Sequence, residues 1–247
     1  MVIATLNVNG IRAREAQVLE WLASVRPGVV CLQEIKAKRE QVPPSLWEHP
    51  DYWTAWHGAG GYSGVALLVR KDVAVSAPAV THPEFDFETR MACIEIEGIT
   101  IASVYVPNGG KDFDAKMRFL RDLHGYAAAF AADRRPLALC GDMNVARTEI
   151  DVHPKDRKAV IGQLPEERAL FEQLIGSGLV DVGRALDPAN EEYFTWWAPW
   201  RNMRQRNIGW RLDYVLASET LAATAVSCPS FREIGTSDHA PVVATFG

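Results

Sequence analysis

Residues 137–144 read LALCGDMN, and residues 211–216 read RLDYVL. In the first stretch an apolar run ends in a carboxylate, Asp142, with the amide Asn144 two residues on. In the second a carboxylate, Asp213, opens the run instead. Other segments repeat this contrast. Leu6 is followed by Asn7, Asn9 and Gly10, Leu32 by Gln33 and Glu34, and Val104 by Tyr105, whereas Asp238 and His239 precede the run that closes the chain. If the second set of strands runs antiparallel to the first, strand ends and strand beginnings meet on one rim and form one site. An all-parallel doubly wound sheet would put the two groups on opposite edges, so the pattern predicts mixed sheets.

Strand-like apolar runs cover 2–6, 29–32, 64–69, 92–96, 99–106, 137–140, 212–216 and 241–246. Helical periodicity appears at 12–25, where Val18, Leu22 and Val25 share a face. It appears again at 112–132, through Phe113, Met117, Leu120 and Ala127, and at 165–174. No Pro/Gly/Ser-rich linker, low-complexity tract or short repeat divides the chain, which predicts one domain over 1–247. Many short strands and few helices predict an α/β (α+β) fold, a four-layer α/β/β/α sandwich of two mixed sheets packed face to face.

Hydrophobic residues make up 48% and charged residues 23%, which fits a globular chain and excludes a disordered one. Cys31, Cys93, Cys140 and Cys228 are scattered singly without C-x-x-C spacing and read as core residues in a reducing compartment. No run approaches the roughly 20 apolar residues of a membrane helix, so the expectation is a cytoplasmic protein, nucleoid-associated if prokaryotic, without a membrane partner. A formal net charge of -5 speaks against a protein that coats nucleic acid, so any contact with phosphates must be local. One segment qualifies: Arg201, Arg204, Arg206 and Arg211 are interleaved with Trp196, Trp197, Trp200 and Trp210.

Each polar group has a plain structural reading. Asn-x-Asn-Gly and Gly-Asp-x-Asn are common turns, and a lone histidine is more often satisfied than catalytic. Asp213 is harder to dismiss, because a carboxylate between Leu212 and Tyr214 in a strand is costly to bury unless paired, and a histidine is its natural partner. Together the groups match what phosphodiester hydrolysis requires: a cation to neutralise charge, a group to activate water, and donors to the phosphate oxygens. Oxygen donors without a Cys/His cluster favour a hard ion, Mg2+ with Mn2+ able to substitute, and Glu34 is its first expected ligand. Asp142 is expected to orient or deprotonate the attacking water with Asn7 and Asn144 beside it. His239 would donate to phosphate, its tautomer fixed by Asp213.

The ordered set of NVNG at 7–10, LQE at 32–34, GYSGVA at 61–66, YVPN at 105–108, GDMN at 141–144, NIGWRLDY at 207–214 and SDH at 237–239 resembles the exonuclease III family of class II apurinic/apyrimidinic endonucleases. That family lies within the endonuclease/exonuclease/phosphatase superfamily, and the likeness covers nearly the whole chain. It implies a DNase I-like sandwich acting on double-stranded DNA, as a monomer. The expected reaction is Mg2+-dependent cleavage 5′ to an abasic site, leaving a 3′-hydroxyl, with 3′-5′ exonuclease and 3′-end-cleaning activity as companions. It further implies metal binding by Glu34 with help from Asn9, a metal-site or supporting role for Asp238, phosphate contact by Tyr105 and His239, and an apolar pocket for the extruded sugar from Trp196, Trp210 and Leu212. Arg204, Arg206 and Lys111 are the expected DNA contacts.

Three departures from the family pattern stand out: Ile35 after the metal-binding glutamate, Thr89 between Glu88 and Arg90, and a short stretch at 108–117. They bear on the balance of endonuclease and exonuclease work. Two rival readings share the fold: a phosphodiesterase for a non-DNA substrate, and a catalytically silent nucleic-acid-binding regulator. The arginine and tryptophan segment argues against the first, and the retained Glu34, Asp142, Asp213, Asp238 and His239 against the second.

Overall fold

A computed structural model describes residues 1–247. Eleven strands form two sheets: β1 (Val2–Asn7), β2 (Val29–Gln33), β3 (Tyr52–His57), β4 (Val65–Arg70), β5 (Met91–Ile96), β6 (Ile99–Tyr105), β7 (Leu137–Asp142), β8 (Leu179–Asp181), β9 (Asp213–Ser218), β10 (Ala225–Ser227) and β11 (Val242–Phe246). The first sheet has the order β10-β11-β1-β2-β4-β3 and the second β5-β6-β7-β9-β8. Within them β1 pairs parallel with β2 and β6 with β7, while β9 runs antiparallel to β7 and β11 antiparallel to β1. Both sheets are therefore mixed, as the placement of the acids predicts.

Three helices matter for the layers: α1 (Glu15–Val25), α2 (Phe113–Ala132) and α3 (Pro165–Gly176). Alternate residues of each central strand face different cores. Ile3, Val29, Cys31, Leu67, Ile101, Cys140, Val215 and Ala244 fill the space between the sheets. Val30, Leu32 and Leu68 face outward against Val18, Trp21 and Leu22 of α1. Ala102, Val104 and Leu139 pack on Phe119, Leu120 and Leu123 of α2 and Phe171 of α3. The result is four layers. Because both faces of the inner strands are covered, those strands read as continuous apolar runs rather than as alternation. All four cysteines are buried free thiols, and no helix is long and apolar enough to cross a membrane.

The runs read from sequence all become strands, but β3, β8 and β10 escape that reading. Each lies at a sheet edge, is short or half-covered, and so lacks the apolar signal. The helix expected from residue 12 begins as a 3-10 turn at Ile11–Arg14 and turns α-helical only at Glu15. Helix α2 starts where Asp112 accepts from the Ala115 amide at 2.8 Å, a side-chain cap that satisfies one of the free N–H groups. The last of the clustered arginines has a different fate from the one its spacing predicts. Arg211 is buried and bonded to Asp151 at 2.7 Å and to both oxygens of Asp181 at 2.8 and 2.7 Å. It locks the 151 loop to the start of β9 and offers nothing to solvent.

One glycine sets the approach of β6 to β7. A Cβ on Gly141 would lie 1.9 Å from the carbonyl oxygen of Val104, so any side chain there pushes the two strands apart just before Asp142. Gly141→Ala is expected to destabilise the protein by about 3 kcal/mol or more, at or beyond the upper end of overpacking penalties. Urea unfolding would register this as a lower midpoint at unchanged slope; a midpoint within error of the parent would contradict the close approach.

Candidate active site

The C-terminal ends of β1, β2, β6 and β7 and the N-terminal ends of β9 and β11 converge on one rim. The antiparallel register seats Asp142 directly across from Asp213. Asn7, fully buried at the end of β1, donates from Nδ2 to Glu34 Oε1 and to Asp142 Oδ2, each at 2.9 Å. That amide ties the acid of the first sheet to the acid of the second. Asn7 is itself held, since its Oδ1 accepts from the Asn9 amide at 3.0 Å and its carbonyl accepts from Ser237 Oγ at 2.7 Å.

Asp142 also accepts from the Asn144 backbone amide at 2.9 Å and from Asn144 Nδ2 at 3.2 Å. Asn144 in turn donates to the Val106 carbonyl at 2.9 Å and receives Asn108 at 3.3 Å. Burial pushes the Asp142 carboxyl up to about 7, with the Asp213 and Glu34 charges adding to burial and the His239 charge and the Asn7 bond opposing it. A carboxyl titrating near neutrality is well matched to taking a proton from water.

His239 Nδ1 lies 2.8 Å from Asp213 Oδ2, and its Nε2 faces Asp142 at 3.9 Å. A carboxylate can only accept, so Nδ1 carries a proton and Nε2 points to the cleft. Burial works against the charged ring, but Asp213, Asp142 and Asp238 together outweigh it and raise the imidazole to about 10. Asp213 is fixed through Thr195, whose hydroxyl accepts from the Leu212 and Asp213 amides at 2.9 and 3.0 Å. Its Oδ1 is buried without a partner. Burial together with the Glu34 and Asp142 charges raises the Tyr105 phenol well above its ordinary value and keeps it protonated.

Two arrangements could hold a metal. Glu34 Oε2 and Asn9 Oδ1 already cradle a cation, the Lys36 ammonium, at 2.7 and 2.6 Å. An oxygen cradle that attracts an ammonium fits a hard divalent ion once that side chain swings aside. Despite burial, the Asn7 and Lys36 bonds keep the Glu34 carboxyl below its ordinary range, as a ligand requires. The second group is Asp142, Asp213 and His239, whose donor atoms lie within 4.8 Å of one another. Asp238, expected as a ligand, has both oxygens taken, by Asn9 Nδ2 at 2.9 Å and by the Trp196 indole at 3.0 Å. Its visible work is to aim Asn9.

Several site residues stand on strained backbone. Asn9, Glu34, Lys36 and Asn144 all have positive φ, between 45° and 52°, a region sparsely used by residues with side chains and frequent at functional sites. Beside the acids lies a cleft of about 280 Å³ with Trp196, Trp210 and Leu212 on its wall and Glu34, Asp142 and His239 at its base. A larger depression of about 700 Å³, under Leu186, Tyr193 and Phe231, shares none of these residues.

Of the expected DNA contacts, Arg206 and Lys111 are exposed. Arg204 is a correction. Its guanidinium donates to the carbonyls of Arg232 at 2.8 Å, Ile234 at 2.9 Å and His239 at 3.3 Å, and also to that of Ser237. Four of its five N–H donors go to the loop that delivers Asp238 and His239, so its visible work is to position that loop. Four participants went unassigned by sequence reasoning: Lys36, Thr195, Arg90 and Lys116. Arg90 lies over the Tyr105 ring at 4.8 Å and bonds Tyr62 at 3.0 Å. Lys116 is fully buried, pairs with Glu167, and donates to the Asn144 carbonyl at 2.7 Å. A lysine on the apolar stripe of α2, beside Met117 and Leu120, was the one available signal.

Fold and site define a class, a hydrolytic nuclease built on a two-sheet sandwich with an acidic rim. Comparison with known proteins agrees. The Endonuclease/Exonuclease/phosphatase family profile matches residues 4–239, and the chain belongs to that family. It is 34% identical to the DNA repair nuclease APEX1 of Danio rerio over 98% of this chain and 81% of that one. It is 33% identical to an exodeoxyribonuclease of Bacillus subtilis, with 98% of both chains covered. Among solved structures it is similar to an AP endonuclease from Archaeoglobus fulgidus, with TM-score 0.89, 30% identity and 100% and 99% coverage. A 3′-5′ exonuclease from Neisseria meningitidis superposes with TM-score 0.91 at 29% identity, again covering 100% and 99%.

The raised His239 imidazole has a consequence for stability. A histidine whose folded value exceeds its unfolded one near 6.5 adds stability that is complete below that pH and is lost as the pH rises through about 10. Asp213→Asn is expected to lower the His239 titration by at least about one unit, the usual effect of a charge partner at this range. It should also flatten the decline in stability between those two pH values. Imidazole NMR titration and pH-dependent unfolding measure both; a His239 titration unmoved by the substitution would remove Asp213 as its charge partner.

Proposed function

We propose that this chain is a DNA repair nuclease that hydrolyses the phosphodiester 5′ to an abasic site in duplex DNA, leaving a 3′-hydroxyl, with Mg2+ as its ion and Mn2+ able to replace it. The carrying observation is that Glu34, Asp142 and His239 share one small cleft with an apolar wall of Trp196, Trp210 and Leu212. At about 280 Å³ the cleft falls just below the roughly 300–1,000 Å³ of small-molecule sites. It suits a sugar stripped of its base better than a whole nucleotide, so size supplies selectivity when the lesion is extruded. Relatives named as a DNA repair nuclease, an exodeoxyribonuclease and an AP endonuclease support the substrate class. A relative named as a 3′-5′ exonuclease supports end trimming and 3′-end cleaning as companion activities.

In this reading Asp142 takes the proton of the attacking water as oxygen bonds to phosphorus and the bond to the 3′-oxygen breaks, the departing 3′-oxygen taking a proton from solvent to become the 3′-hydroxyl. Asn7 and Asn144 hold Asp142, and hence the water, in line. His239 donates from Nε2 to a non-bridging phosphate oxygen, and Tyr105 adds a second O–H donor there. Glu34 and Asn9, the latter aimed by Asp238, would hold the ion, which supplies neutralisation of the charge that develops on phosphate. Arg206 and Lys111 contact the DNA backbone, Lys111 beside the exposed Tyr62 ring at 5.8 Å. Only residues 106–112 join β6 to α2, so little chain is available there to press into the duplex. The protein is expected to act as a cytoplasmic monomer, its 247 residues one domain.

A labelled duplex with a central abasic analogue tests this directly, because internal nicking and end trimming give different products. Nicking should require a divalent ion and stop with EDTA. Glu34→Ala and Asp142→Asn should each reduce turnover by about a hundredfold or more, and near-normal rates in both would refute the assignments. Arg206→Ala should flatten the salt dependence of DNA binding by about one ion. Arg204→Ala should leave that slope intact yet lower turnover, because it frees the loop bearing His239.

A further inference from the structure

Away from the rim, at the edge of the sandwich where β3 of one sheet lies near β5 of the other, two histidines and an aspartate come together. His57 ends β3, while His82 and Asp86 belong to the connection between β4 and β5. One donor atom from each lies within 4.8 Å of the others; the imidazole rings stack at 3.8 Å with an angle of 24°, so the exposed His82 ring must turn for both lone pairs, which lie in the ring planes, to meet one ion. We propose that His57, His82 and Asp86 form a second metal site, selective for a borderline transition ion of the Zn2+ type and independent of the active-site reading above.

The orientation of each ligand carries the argument. His82 Nδ1 lies 3.0 Å from the Met91 carbonyl; a carbonyl only accepts, so the proton is on Nδ1 and the Nε2 lone pair is free. Backbone orientation of the remote nitrogen is the arrangement that metal-bound histidines use. Asp86 Oδ1 accepts from the Arg90 and Met91 amides at 2.8 and 2.9 Å, which turns Oδ2 toward His57 Nε2 at 2.6 Å. The His82 side chain is exposed and borders a cleft of about 300 Å³ with Trp47, Trp56 and Val80, so an ion has a path in and a coordination position open to water. Two imidazoles and one carboxylate suit zinc-like ions at about 2.0–2.2 Å and suit Mg2+ poorly. The all-oxygen cradle of Glu34 and Asn9 has the opposite preference, so one chain would hold two ions of different character.

Occupancy has two consequences. It takes the His57 Nε2 lone pair, so the proton that His57 shares with Asp86 leaves Nε2 and the neutral ring carries its proton on Nδ1. It also staples the connection between β4 and β5 to the edge strand β3, stabilising the fold as any ligand of the native state does.

Calorimetric titration of Zn2+ into the whole protein in excess Mg2+, which occupies the oxygen site, is the test. One ion per chain is expected, with a rise in thermal midpoint. His82→Gln and His57→Gln should each weaken binding by at least about tenfold and abolish the thermal shift, while Glu34→Gln should leave both intact. Absence of binding to the parent protein overturns the proposal, as does binding unchanged in His82→Gln. Loss of the zinc site in Glu34→Gln, or in Asp213→Asn, which removes a carboxylate from the Asp142, Asp213 and His239 group, would assign the ion to the rim and overturn it equally.

Discussion

The contact on which the rest depends is the side-chain amide of Asn7, donating at 2.9 Å to Glu34 from one sheet and to Asp142 from the other. Two carboxylates held this near each other repel, and burial adds to the penalty for charging Asp142. The amide offsets that repulsion with two charge-assisted bonds. It does so only because β1 and β7 end at the same height on facing sheets. Register, not local sequence, brings the acids together, and the three cores on either side of the sheets hold the register.

Around this clamp the protein accepts local strain. Glu34, Asn9 and Asn144 take left-handed backbone conformations, and Asp213 leaves a buried oxygen without a partner. Each is unfavourable alone, and surrounding structure holds it: Asn7 on Asn9, Thr195 on Asp213, Lys116 under Asn144. A preorganised polar cluster of this kind stabilises charge that develops during a reaction without having to reorganise. The strain and its support belong to the same design.

Cations follow a division that net charge conceals. Arg211, Arg90 and Lys116 are buried and serve carboxylates, carbonyls or aromatic rings, and Arg204 serves the His239 loop. These four are spent on the fold, and with a formal charge of -5 the exposed basic groups that remain are outweighed by acids. Phosphate attraction is the part of nucleic-acid binding that carries no sequence information, so an acidic net charge limits it to local contacts.

Much of this was legible in the residues. Apolar runs located the inner strands, because strands covered on both faces must be apolar throughout. The contrast between Asp142 at a strand end and Asp213 at a strand start required antiparallel neighbours, and hence mixed sheets. The pairing of Asp213 with a histidine followed from the penalty of burying a lone carboxylate. What the sequence could not reveal depends on residues distant along the chain. Edge strands such as β3 lack a pattern, since their burial is decided by what lies beside them. Arg204 and Arg206 look alike in the chain and differ only because backbone carbonyls of 232–239 meet one of them. His57 meets His82 and Asp86 only when two sheet edges close together. By itself the sequence determined which apolar runs must be inside and which chemistry the polar groups at their ends can perform; only the tertiary structure decided which cations are buried and which donors are already engaged, because a hydrogen bond is fixed by position and not by composition.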